Sequence, residues 1–387
     1  MKFRQTVIAC FLSWGLSQAA EPASPAAARK EAMARTRATI QAELEAAGGN
    51  WGAWYESLRP AWKELNAKVV TAQKDPRTIA IKDAPSWSYL HTEGKPPMFV
   101  QTGSAYYLMA DNMDPEEFLK TRPSIQVLLA FNRWLKQHDI DLIFVPVPKL
   151  VEVYPERVLT NAPGSRILAP HMRKLILQLL DADVETVDLL PEFLTAASSG
   201  AGPLYLSSDS HWTQMTQKLT SKLLAQRLVR YPFVQQALKQ PQKFKSAEVK
   251  LQFGGADYAY LNPEERKQVD DTVQLSLTQI QDSSGRPYED PEDAPIVMIG
   301  DSYVHYFSIA IKKGTGIEAL LSRDVNLPVT NRAVGGGTTD SLKEFIRNPE
   351  ILNFHKVVIW IVTSDMFMAS GRWDFVPFPA PRKAAGR

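Results

Sequence analysis

A chain of 387 residues, 44% hydrophobic and 10% aromatic, has enough apolar surface for a full core, and its 44 basic and 42 acidic residues leave a net charge of +2. No block of like charge is long enough to act as an arm for nucleic acid, so no nucleic-acid partner is expected. The only cysteine is Cys10. It lies in the leader, so disulfides and thiol catalysis are excluded for the mature chain.

Lys2 and Arg4 precede an apolar stretch from Val7 to Leu16, followed by Ser17-Gln18-Ala19 as a small-x-small cleavage pattern. This predicts a signal peptide over 1–19, with a retained signal anchor as the alternative. Val7-Ile8-Ala9-Cys10 resembles a lipoprotein box but lies too close to the charged end to serve as one. No later stretch reaches the roughly 18 apolar residues of a membrane span. The expected location is the periplasm, with inner-membrane association if the leader stays.

Residues 20–115 read as a helical and irregular N-terminal region. A helix over 25–48 is stopped by Gly48-Gly49, and a segment with Trp51, Trp54 and Trp62 leads into a turn-rich stretch without a readable fold. From 116 to 375 the pattern is regular. Helices are predicted over 124–138 and 167–180, with strands over 141–147 and 184–187. Met215, Leu219, Leu223 and Leu228 recur at helical spacing. A strand over 296–299, a helix from Ser302, a helix over 339–347 and a strand over 356–362 follow, and 376–387 is a short tail. Helices alternating with short apolar strands predict a three-layer α/β sandwich with a mostly parallel sheet, whose sites lie at the carboxyl ends of strands. Residues 231–295 interrupt the rhythm with polar, Pro-rich sequence and one strand over 272–277. They read equally as a lid or binding element and as surface decoration.

Strand 296–299 runs into Gly300-Asp301-Ser302 and then a helix. A serine at such a turn exposes its hydroxyl at the strand's carboxyl end, beside the N–H groups of a helix N-terminus. Asp and Ser are also common helix caps, so the turn alone does not settle a catalytic role. A nucleophilic serine needs a base, and the base needs an orienting group. Asp209 and His211, two residues apart in an extended segment, supply both, with Trp212 expected to pack beside the ring and Thr213 to cap the next helix. His305, three residues after Ser302, competes as base but has only Asp301 to orient it. Asp209, His211 and His305 could also ligate a metal, but no further ligand is evident and no metal is expected. His91, His138, His171 and His355 read as surface or packing residues. The stretch from Asn331 through Gly335-Gly336-Gly337 to Asp340 could bring a second oxyanion donor or form a plain flexible loop. Lys149, at the end of strand 141–147, could meet a carboxylate-bearing or hydroxyl-rich substrate or stay solvated.

Taken together, Gly300-Asp301-Ser302-Tyr303, Ser208-Asp209-Ser210-His211-Trp212-Thr213, Val145-Pro-Val-Pro-Lys149 with Tyr154-Pro155, and Asp188-Leu-Leu-Pro191 resemble the SGNH hydrolase superfamily. Within it they are more similar to the AlgJ/AlgX family of alginate O-acetyltransferases, over roughly 120–365. In common SGNH esterases the serine block comes first; here the Asp-His pair precedes the serine, the order this family shows. The resemblance implies a periplasmic enzyme that takes acetyl groups from a membrane-bound O-acyltransferase and places them on an exopolysaccharide acceptor through an acetyl-serine intermediate. It implies Ser302 as nucleophile, His211 as base, Asp209 as orienter, and no cofactor. Gly336, Asn331, Lys149, Trp212 and Tyr303 are the expected oxyanion and substrate-binding residues. Two positions depart from the family: Asp301 before the serine, and Val362-Thr363-Ser364-Asp365, which lacks both the arginine often found there and the asparagine of common SGNH esterases. A periplasmic carbohydrate acetylesterase with the same triad is the alternative. A non-catalytic polysaccharide-binding scaffold would not need all three residues.

Overall fold

A computed structural model describes residues 24–72, 74, 87–90, 98–101, 115–120, 122–164, 167–206, 209–255, 263–267, 274–337, 339–347, 351–368, 373, 374 and 376–378. The expected leader with Cys10, as well as His91, lies outside them.

Nine strands are described: β1 (Trp87–Leu90), β2 (Met98–Gln101), β3 (Asp141–Val147), β4 (Glu185–Thr186), β5 (Lys245–Leu251), β6 (Leu275–Gln281), β7 (Ile296–Gly300), β8 (Val329–Asn331) and β9 (Val357–Thr363). Five of them form the central sheet in the order β4-β3-β9-β7-β8, every neighbouring pair parallel. β7 and β9 are buried along their whole length. That is why they read as unbroken apolar runs: both faces of the sheet are covered. The helices Pro170–Asp181, Ile317–Val325 and Thr339–Arg347 make the crossovers β3 to β4, β7 to β8 and β8 to β9.

Counted from β7 as first, through β8, β9, β3 and β4, the sheet has the doubly wound order 2-1-3-4-5. In this fold, ligands bind at the carboxyl ends of the strands where the winding reverses, here the ends of β7 and β9. The same arrangement explains the rotated motifs. The strands that bring the Asp-His pair, β3 and β4, come fourth and fifth in the fold but are the first of these five in the chain.

Three expectations need adjustment. The Trp-rich segment is a single helix, Trp51–Ala72, burying Trp54, Tyr55, Leu58, Trp62, Leu65 and Val69 at helical spacing and joining the same core as the sheet. The Trp62 indole donates to the Leu168 carbonyl at 3.0 Å. The helix Gln214–Leu228 exists, but its buried face is largely polar: Gln214, Thr216, Gln217, Thr220 and Ser221 point inward, and Met215, Leu219 and Leu223 are only partly buried. Hydrogen bonds account for part of this, including Thr216 to the Leu204 carbonyl at 2.6 Å and Ser221 to Asp324 at 2.6 Å. Within 231–295, the strand expected at 272–277 is β6, paired antiparallel with β5. β6 is fixed to the body, because Gln214 exchanges two hydrogen bonds with the Thr278 backbone and Ile280 donates to the Gly314 carbonyl.

Candidate active site

β7 ends on Gly300, whose φ of +148° and surroundings require glycine: a Cβ there would lie 1.7 Å from the Ile361 carbonyl oxygen of β9. The close approach lets the chain turn at once into the helix Ser302–Tyr306. Asp301 caps that helix, its Oδ1 accepting from the Tyr303 N–H at 3.0 Å. Its Oδ2 accepts from the Thr363 N–H at 3.0 Å and the Thr363 hydroxyl at 3.1 Å. Asp301 is thus a stitch between the ends of β7 and β9. Burial pushes its carboxyl above the usual range, and these N–H donors and the nearby Lys149 partly offset that. Ser302, the next residue, is partly exposed at the sheet edge.

The Asp-His segment arrives on a short hairpin. Leu206 donates to the His211 carbonyl and Thr213 to the Leu204 carbonyl, both at 2.9 Å, and the Tyr205 hydroxyl ties the hairpin to the Pro148 carbonyl at the end of β3. Asp209 Oδ1 accepts from the His211 N–H at 2.9 Å and from the ring Nδ1–H at 2.5 Å. Nδ1 therefore carries the proton, and Nε2 accepts from the Ser302 hydroxyl at 2.9 Å. Thr213 caps the following helix through the Thr216 N–H.

The ring against His211 belongs to Tyr306, stacked at 3.8 Å with an interplanar angle of 3°, and its hydroxyl donates to Asp209 Oδ2. Trp212 was expected there. It is instead fully buried, pointing away from its neighbour as alternate residues of an extended segment do, and its indole donates to the Tyr303 carbonyl at 2.9 Å. Tyr303 is also buried, with its hydroxyl donating to the Ser210 carbonyl. Neither side chain is open to a substrate as expected; both join the hairpin to the nucleophile's helix.

Lys149 Nζ lies 3.3 Å from Asp365 Oδ1 and 5.4 Å from the centre of the Tyr303 ring. Nearby, Glu152 holds the ends of β3 and β9 together, accepting from the Lys149 N–H at 3.0 Å and from the Ser364 hydroxyl at 2.9 and 3.1 Å. Asn331 shapes the loop after β8, its side-chain oxygen accepting from the Ala333 N–H at 3.0 Å, and Gly336 follows at the turn with φ +62°. Among the described residues no group of three or more His, Cys, Asp or Glu side chains is placed to hold a metal.

The profile of the SGNH hydrolase-like domain of acetyltransferase AlgX matches residues 102–363. The chain belongs to the AlgX acetyltransferase family. Among solved structures, the O-acetyltransferase domain of Pseudomonas putida AlgJ aligns with a TM-score of 0.54 and 18% identity, covering 73% of this chain and 92% of that one. Pseudomonas aeruginosa AlgX aligns with a TM-score of 0.44 and 21% identity over 63% of this chain and 57% of that one. No curated protein matches by sequence.

As an AlgX-family O-acetyltransferase, the protein brings Asp209, His211 and Ser302 into one hydrogen-bonded relay across elements some ninety residues apart in sequence. Two members of the site escaped the sequence reading. Tyr306 stands one helical turn beyond Ser302, a spacing that puts it on the nucleophile's side. Glu152 lies three residues past Lys149, where it resembles an ordinary helix-start acid. The Asp188 motif has a scaffold role here: it accepts two hydrogen bonds from Arg173 and one from the Leu190 N–H, fixing the start of the helix Leu190–Ser198.

Proposed function

We propose that this AlgX-family enzyme transfers acetyl groups onto hydroxyls of an alginate-type exopolysaccharide in the periplasm, through an acetyl-Ser302 intermediate, receiving them from a membrane-bound O-acyltransferase. The Asp209–His211–Ser302 relay carries the proposal. Ser302 Oγ attacks the acetyl carbonyl carbon while His211 Nε2 takes its proton, and Asp209 with Tyr306 holds the imidazole in the right tautomer and plane. The bond to the donor oxygen breaks, and His211 returns the proton to that oxygen. In the second half a sugar hydroxyl gives its proton to His211, its oxygen attacks the acetyl carbon, and Ser302 Oγ leaves with the proton. The Ser302 N–H at its helix start and the Gly336 N–H are the proposed oxyanion donors, with Asn331 setting the loop and Lys149 facing the polymer's carboxylates. No helix of the described residues is long and apolar enough to cross a membrane; the exported location rests on the leader.

The test uses the mature protein, a small acetyl ester and oligomannuronate acceptors, with intact-mass detection of acetylated protein and sugar. Ser302→Ala and His211→Ala are expected to lose about 10⁴-fold in turnover, and the double variant little more, because the residues act as one unit. Near-wild-type turnover by a folded Ser302→Ala protein rules out the acetyl-serine route. Acetate as the sole product with every acceptor turns the reading into an esterase.

A further inference from the structure

The helix of Ser302 carries a second imidazole that the relay leaves unused. His305 stands three residues on along the same helix, so the two side chains share a face. Its Nδ1 is 3.2 Å from the Ala333 carbonyl oxygen, an acceptor only, so Nδ1 carries the hydrogen and Nε2 keeps a lone pair. Burial lowers the affinity of this ring for a second proton, outweighing the Ala333 carbonyl and Asp301, which act the other way. The ring rests on the glycine loop: a Cβ on Gly335 would lie 3.3 Å from Nε2 and 3.4 Å from Cε1, so any larger residue there would crowd it. Half-buried and held by one nitrogen, His305 keeps a neutral hydrogen-bond acceptor beside Gly335, one helical turn from Ser302.

The attacking hydroxyl is served by His211, so a second fixed acceptor has no role in attack by water, which needs one base only. A sugar differs from water in carrying another hydroxyl on the adjacent carbon. We infer that His305 Nε2 accepts a hydrogen bond from the hydroxyl next to the one being acetylated, making His305 and the Gly335 loop the acceptor subsite that favours vicinal diols over water and simple alcohols. The inference rests on the transferase reading above and refines it to a residue and a substrate class.

The acceptors for the test are ethanol, ethylene glycol and oligomannuronate, given to acetyl-Ser302 formed from a small acetyl ester. Wild type is expected to prefer ethylene glycol to ethanol by roughly five- to tenfold per hydroxyl, the scale of one neutral hydrogen bond. In His305→Ala and His305→Gln that preference should collapse toward one, with KM for oligomannuronate rising about tenfold while the rate of Ser302 acetylation falls by less than threefold. Unchanged diol preference in both variants overturns the inference. So does an equal fall in acetylation and transfer, which would make His305 a mere support of the glycine loop. If wild type itself releases only acetate with all three acceptors, the transferase reading fails first, and that result is visible before any variant is made.

Discussion

Buried charge is handled differently at the β4 edge of the sheet and at the ends of β7 and β9. At the edge, Arg173 meets Asp188 at 2.7 and 2.5 Å and Glu43 at 2.7 and 3.1 Å, joining three helical segments. Arg230 forms a two-pronged pair with Glu185 of β4 at 2.7 and 2.6 Å. Burial alone would depress the Arg173 guanidinium, but its two carboxylates more than reverse that. At the site, Asp301 accepts its hydrogen bonds from neutral donors, and among the described residues Asp365 has Lys149 at 3.3 Å but no aligned hydrogen bond on either oxygen. Where charge holds the fold, carboxylates meet guanidinium groups two-pronged; at the site, Asp209, Glu152 and Asp301 accept from N–H and O–H groups, and Asp365 lies against the Lys149 ammonium.

The largest test of this contrast is Arg173→Met. It strands two partly buried carboxylates, Glu43 and Asp188, and a stability loss of about 3–5 kcal/mol is expected in urea unfolding, while the folded fraction keeps its rate of Ser302 acetylation. A loss under about 1 kcal/mol would mean that the edge pairs are no firmer than surface ones.

A smaller effect is expected at Glu318, a fully buried acid behind the nucleophile's helix. Ser308 donates to its Oε1, its Oε2 has no donor, and burial pushes its carboxyl from 4.5 up to about 7. The folded state binds this proton more tightly than the unfolded chain does, so stability falls as pH rises from about 4.5 to 7 and stays lowered above that. The full penalty is about 3 kcal/mol. Glu318→Gln should remove the slope, its stability relative to wild type improving across that window; parallel pH–stability curves would refute the assignment.

The smallest effect sharpens the site itself. Tyr306→Phe keeps the stack on His211 but removes the hydroxyl from Asp209, and acetyl turnover should fall about tenfold, with little change in melting temperature. A change confined to stability would place Tyr306 with the packing residues.

Much of the site was legible because each half is a local pattern: an apolar strand, glycine, Asp-Ser and a helix on one side, an acid two residues before a histidine on the other. Their meeting was inferred from chemistry, and the strand order supplies its geometric reason. What stayed hidden depends on neighbours remote in sequence. The helix Trp51–Ala72 contains Gly52 and Pro60 and crowds its tryptophans, so local propensity argued against the periodicity that its packing reveals. The inward polar face of Gln214–Leu228 makes sense only beside its partners on Leu204, Thr278 and Asp324. The role of Asp301 in joining β7 to β9 was hidden because its second partner, Thr363, lies sixty-two residues on.

The rotated strand order also bears on when the serine and the histidine first meet. β9, near the C-terminal end of the described chain, inserts between β3 and β7, with Asp141 opposite Val357 and Ile296 opposite the same residue. The base travels with the half containing β3 and the nucleophile with the half containing β7, and the strand that joins them comes after the other four of this sheet in the chain. Such long-range pairing is slow to form. Until β9 has paired with both halves, the serine and the histidine sit on parts of the sheet that this strand has yet to join, so their 2.9 Å contact forms late.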